Sequence, residues 1–106
     1  MPQVLHTPAA REDLLQIGRF IAEESQSLDT AFRLLDKIEE KCQLYATQPL
    51  MATTRPDLGE QVHTFAVDNY VVIYQPIKDG IRVLMVVHGS RDIPPILKKR
   101  KDVPPR

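Results

Sequence analysis

Apolar residues recur at Ala10, Leu14, Ile17 and Ile21, spaced by four, three and four, which lays them along one face of a helix. Phe20 widens that stripe. Thr7-Pro8 supplies the start: the threonine hydroxyl can take an exposed amide, and proline is tolerated at the first helical position. The pattern fades over Glu24 to Gln26. A second start at Ser27 or Asp29 opens a longer stripe of Ala31, Leu34, Leu35, Ile38, Cys42 and Tyr45, with charged residues on the outer face. Gln48-Pro49 ends it, because a residue before proline avoids the helical region. Two such helices joined by a few polar residues form an antiparallel helical hairpin.

Residues 50–60 hold no sustained period and contain Pro56 and Gly59, so they read as a loop, anchored by Leu58. After it the period becomes two. Val62 to Val67 reads as a strand, Asp68-Asn69 as a tight turn and Tyr70 to Pro76 as a second strand. Lys78-Asp79-Gly80 makes the next turn, Asp-Gly being a strong hairpin signal. Ile81 to His88 is a third strand, so continuously apolar that both its faces must be covered. Gln3 to His6 reads as a short strand ahead of the helices. Gly89 breaks the third strand, Ile93 to Lys101 reads as a short helix with Pro94 and Pro95 in its first turn, and residues 102–106 read as a frayed tail. The expectation is one α+β domain over residues 1–106: a helical hairpin packed on a small antiparallel sheet, closed by a short C-terminal helix.

The 106 residues carry 14 Lys plus Arg and 14 Asp plus Glu, but unevenly. Residues 1–47 have a balance of −3 and residues 48–106 a balance of +3. From Arg82 onward the balance is +5, which suggests a local anionic partner such as nucleic acid or an acidic protein segment, although composition alone favours a solubilising tail. The longest apolar runs, Tyr70 to Tyr74 and Val83 to Val87, are far short of the roughly 20 residues of a membrane helix. The first residues lack the apolar core of an export signal. The single cysteine, Cys42, sits on the helical stripe and reads as a small core residue. A cytoplasmic protein is expected.

The three histidines, His6, His63 and His88, lack metal-ligand spacing, and no phosphate-binding glycine loop or nucleophile elbow occurs. Neither a metal nor a cofactor is expected. The segment His88-Gly89-Ser90-Arg91-Asp92 gathers polar groups at the end of a strand, with Asp92 placed to cap the helix at Ile93. Cleavage of RNA would need a base for the 2′-hydroxyl, a cation for the phosphate and an acid for the leaving oxygen. His63, His88 and Arg91 are the residues available for those roles, and no spacing brings them together.

The chain resembles the ParE toxins of the RelE/ParE superfamily of bacterial type II toxin–antitoxin systems. The resemblance is carried by Ala10-x-x-Asp13-Leu14-x-x-Ile17 with Phe20-Ile21, and by Ala31-x-x-Leu34-Leu35 through Ile38 to Tyr45 and Pro49. It continues in Asp57-Leu58-Gly59, in Asn69-Tyr70-Val71-Val72-Ile73-Tyr74 and in Val87-His88-Gly89-Ser90-Arg91-Asp92. Order and spacing agree from about residue 3 to residue 97. Three positions depart. Relatives often carry arginine where this chain has Val62-His63, Gln75 and Met85, and each departure removes a positive charge from the sheet.

The resemblance implies a growth inhibitor that binds DNA gyrase and blocks replication without bond chemistry of its own, neutralised by a cognate antitoxin. That antitoxin would be ParD-like, of the ribbon-helix-helix kind, and operator DNA would be reached only through it. Two other readings stay open: a ribosome-dependent messenger-RNA endoribonuclease of the RelE type, and an attenuated toxin that retains only antitoxin binding. The candidates for target binding are Arg82, Arg91, Lys98, Lys99 and Arg100. For the antitoxin they are Phe20, Phe32 and Tyr45, although Phe20 and Tyr45 read more simply as completing the core.

Overall fold

A computed structural model describes residues 2–100, so the tail expected over 102–106 lies outside the described residues. The chain runs β1 (Gln3–His6), α1 (Pro8–Ser25), α2 (Leu28–Thr47), β2 (Thr53–Thr54), β3 (His63–Val67), β4 (Tyr70–Ile77), β5 (Gly80–His88) and α3 (Ile93–Lys98). The expected α+β architecture is the observed one. Thr7 caps α1, its hydroxyl accepting from the Ala10 amide at 3.2 Å, with Pro8 in the first turn. Ser27 does the same for α2 through the Thr30 amide at 3.1 Å. Gln26, between them, adopts a left-handed conformation that stops α1 and turns the chain.

The five strands lie in the order β1-β5-β4-β3-β2. The expected three-stranded antiparallel meander is its centre, extended at each edge. Thr53–Thr54, read as loop, pairs with Thr64 and His63 as a two-residue edge strand too short to show a period. β1 pairs in parallel with β5, Gln3 beside Gly80 and His6 beside Val83. The helical hairpin makes this possible, since a parallel neighbour needs a crossover. The third helix ends at Lys98, three residues earlier than expected, and Asp92 holds its N-cap position without a side-chain cap bond.

Side chains of β4 and β5 alternate between two cores, and β3 adds to the first. Facing α1 and α2 are Phe65, Val72, Tyr74, Ile81, Val83 and Val86, packed against Ala10, Ile17, Leu34, Ile38 and Cys42. Burial pushes the Cys42 thiol up to about 12, so it stays protonated and acts as a small apolar residue. Tyr45 stacks on Phe65 with centroids 4.4 Å apart, and the Tyr74 hydroxyl donates to the Pro49 carbonyl at 2.6 Å, tying the end of α2 to the sheet. On the opposite face Val62, Ile73, Leu84 and Met85 meet Ile93 and Leu97 of α3, with Leu58 packed at the margin. Both faces of β5 are therefore covered, as its apolar run requires.

A bulge makes the second core. Ile73 pairs with Met85 but Tyr74 pairs with Val83, which leaves Leu84 without a cross-strand partner. Leu84 and Met85, consecutive in sequence, then point to the same face. The hairpin turn at Asp79-Gly80 also works differently from its sequence signal. The positive φ falls on Asp79, at 61°. Gly80 is needed because β1 passes so close that a Cβ there would stand 2.0 Å from the Gln3 carbonyl oxygen.

Gly80→Ala should therefore undock β1. Amide exchange over residues 3–6 is expected to become fast while β3 and β4 stay protected; unchanged protection of β1 would refute the close-approach argument. His6, half-buried, has its pKa held below the ordinary 6.5, chiefly by burial and against the pull of Glu39. The unfolded chain thus takes up a proton before the native one does, so stability is full above pH 6.5 and falls as pH drops below it. His6→Leu should flatten that acid arm in denaturant titrations repeated from pH 7.5 to 5.

Candidate functional site

β1 covers only half of the β5 edge. It stops at His6, opposite Val83, while β5 continues to His88. Backbone groups on an edge must find partners or water. The Val83 carbonyl accepts from the Thr7 amide at 3.0 Å. The Leu84 carbonyl, freed by the bulge, accepts from the Thr7 hydroxyl and from Arg100 Nη1, each at 3.3 Å. The Val86 amide donates to Asp13 Oδ2 at 3.0 Å. Asp13 and Arg100 are themselves joined at 2.8 and 3.0 Å, with side chains only 16% and 14% exposed. Asp13 stands on α1 and Arg100 follows α3, so this pair clasps the two helical layers together around the open edge of the sheet.

Beyond the clasp lies a cleft of about 670 Å³ lined by Ile17, Phe20, Tyr70, His88, Arg91 and Ile96, among others. His88 Nδ1 accepts from the Ser90 amide at 3.1 Å and lies 2.7 Å from the Ser90 hydroxyl. An acceptor at Nδ1 leaves the ring proton of neutral His88 on Nε2. The ring meets Tyr70 edge-on, with centroids 5.5 Å apart. Arg91 is exposed and has no ion-pair partner among the described residues.

The three residues considered for RNA cleavage do not converge. His63 is buried, stacked on Tyr74 and bonded through Nδ1 to the Ala52 carbonyl at 3.1 Å. It pairs across the ladder with Tyr74, and His88 pairs with Tyr70. Four residues along β4 separate them by about 13 Å at roughly 3.3 Å per residue. Only His88 and Arg91 share the cleft. Among the described residues, no three His, Cys, Asp or Glu side chains gather as metal ligands would. Among the same residues, no helix is long and apolar enough to cross a membrane.

The cationic candidates divide three ways. Arg91 lines the cleft, and Lys98 and Lys99 are exposed at the end of α3. Arg82 is half-buried on the far face, opposite Gln75 and beside Leu5. Arg100 is a correction: its guanidinium is occupied by Asp13 and Leu84, so it holds the fold together and offers no free charge. Among the aromatic candidates, Phe20 and Phe32 are exposed and Tyr45 belongs to the core stack. The expectation that Phe20 completes the core is corrected, because the helix turns it toward the cleft mouth at 53% exposure. Val62 and Met85 lie in the apolar core under α3, where an arginine would have no water and no partner. Gln75, the third departure, is buried opposite Arg82.

Asp13, absent from the sequence-based candidates, holds this edge together. Its signal was available: an acid inside the Ala10, Leu14, Ile17 stripe faces the body of the protein and needs a buried partner.

The model of the family described as the ParE toxin of type II toxin–antitoxin systems matches residues 4–93. A solved structure titled as a chromosomal ParDE system from P. aeruginosa aligns with a TM-score of 0.68 at 17% identity, over 83% of this chain and 96% of that one. At that identity the likeness concerns the fold. A search of curated proteins gives no match.

Asp13→Ala removes the acceptor for Val86 and leaves Arg100 unpaired while largely buried, which should cost about 3 kcal/mol. Thermal unfolding followed by circular dichroism is expected to show a midpoint lowered by more than about 10 °C. A loss under about 1 kcal/mol would show that the clasp is ornamental.

Proposed function

This chain belongs to the ParE toxin family of type II toxin–antitoxin systems, and from that premise we propose that it blocks replication by binding DNA gyrase. On this reading it breaks no bond itself. A cognate ParD-like antitoxin of the ribbon-helix-helix kind, encoded beside it, neutralises it in the cytoplasm and carries the contact with operator DNA.

The observation that carries this reading against a nuclease is the separation of the titratable groups. Transfer of a proton from a 2′-hydroxyl and to a leaving oxygen requires two groups within hydrogen-bond reach of one phosphate. His63 is buried and bonded to backbone, and His88 stands at the other end of the strand pair. The face of the sheet away from the hairpin is filled by Ile73, Leu84 and Met85 under α3 and offers no open polar floor there. What this end of the molecule does present is charge: Arg91, Lys98 and Lys99 are exposed together in the C-terminal segment. Such a surface suits an anionic partner such as a protein–DNA complex. For the antitoxin, the support is apolar. Leu15, Phe20, Leu28 and Phe32 are large side chains left exposed on the hairpin, the kind of surface that a partner segment buries.

Pulse labelling after induction without antitoxin separates the readings. DNA synthesis is expected to fall before protein synthesis, and a His63→Gln, His88→Gln double variant is expected to keep that order and potency. Protein synthesis falling first would replace gyrase with the ribosome. No fall in either would mark an attenuated toxin.

A further inference from the structure

Beyond the clasp, the β5 edge still carries backbone groups without a partner among the described residues. The Gly89 amide bonds to the Asn69 carbonyl at 2.8 Å, which fixes residues 69 and 89 as a hydrogen-bonded pair. The antiparallel ladder alternates, so 71 and 87 form the next bonded pair, and Val86 and His88 turn their backbone groups away from β4. Of those four groups, the Val86 amide goes to Asp13 and the His88 carbonyl accepts from the Arg91 amide at 3.0 Å. Among the described residues the Val86 carbonyl and the His88 amide remain, without a strand beside them, and both residues line the cleft.

Their spacing is specific. In a parallel ladder one residue of the neighbouring strand donates to the carbonyl of residue i and accepts from the amide of residue i+2. Val86 and His88 offer that combination. β1 already runs parallel to β5 along the first half of this edge. The walls of the cleft supply the rest: Phe20 and Ile96 give apolar surface, and Arg91 gives a cation whose rival acid, Asp13, is already paired with Arg100.

We infer that this cleft takes an extended, acidic segment of the antitoxin, which adds to the β5 edge parallel to it and continues the line of β1. One residue of that segment bonds both the Val86 carbonyl and the His88 amide, an apolar side chain lies against Phe20, and a carboxylate reaches Arg91. The inference rests on the antitoxin reading above and deepens it by naming where the partner's extended part binds and which charge it bears. Strand addition of this kind draws affinity from backbone bonds and specificity from the flanking side chains.

The test uses the full chain with the protein encoded by the adjacent reading frame, co-purified as a complex, and follows amide hydrogen exchange at residue resolution. The His88 amide is expected to exchange at least tenfold more slowly in the complex than in the free chain. Arg91→Glu is expected to weaken the complex by at least tenfold, and Lys78→Glu, an equal charge change at the exposed β4–β5 turn, to leave it within twofold. A stable complex in which His88 exchanges as fast as in the free chain, or in which both charge reversals act alike, overturns the inference and leaves the antitoxin reading standing. Protection of His88 in the free chain that rises with protein concentration overturns it too, since a second copy would then occupy the edge. Failure to form any complex overturns the antitoxin reading and this inference with it.

Discussion

The fold depends on how nine residues of β5 are matched by four of β1. A strand edge is a row of amides and carbonyls, and burying them without partners would cost more than a domain this size has in reserve. Along the first half, β1 makes the bonds. At Leu84 and Val86 the work passes to side chains: Thr7 from the cap of α1, Asp13 from its second turn and Arg100 from beyond α3. Thr7 therefore acts twice, accepting from Ala10 to start the helix and donating to Leu84 to seat it. The start of the chain, the edge of the sheet and the end of the described chain meet within a few ångströms.

The bulge at Leu84 belongs to the same arrangement. A regular ladder would alternate Leu84 and Met85 between the faces and give α3 less apolar surface to cover. With the bulge, both side chains meet Ile93 and Leu97, and α3, only six residues long, gains enough contact to stay in place. A helix that short has little stability of its own. Its position is set by that contact and by Arg100, whose side chain passes around the sheet edge to Asp13. The bulge also frees the Leu84 carbonyl that Arg100 uses, so one irregularity serves the packing and the clasp together.

These constraints shape what the protein can present to a partner. The face of the sheet under α3 is apolar and closed, the face under the hairpin is the main core, and the remaining open end of β5 becomes the cleft. Arg91 and His88 are placed there by the turn that ends the strand. The substitution of arginine-type positions by Val62 and Met85 is consistent with this arrangement: residues buried beneath a helix cannot carry unpaired charge.

Much of the architecture is legible in the residues alone. Both helices, their caps at Thr7 and Ser27, the three central strands and the two tight turns follow from periodicity and from local chemistry, because each depends on neighbours within a few positions. Family membership is legible too, through motifs spread across the chain. The sequence could not say that β1 would lie parallel to β5, that Thr53–Thr54 would pair, or that Gly80 serves a close strand contact rather than its own turn. Nor could it foretell that Phe20 would face a cleft while Tyr45 stacked in the core, since both share the helical period. His63, His88 and Arg91 look equivalent as candidates until strand register sets the buried His63 ring four residues of β4 away from the other two. Asp13 and Arg100 are 87 positions apart, and only the closing of the sheet edge makes them partners. Local pattern determined the elements; the need to satisfy one strand's unpaired backbone decided how they close and which surface stays open.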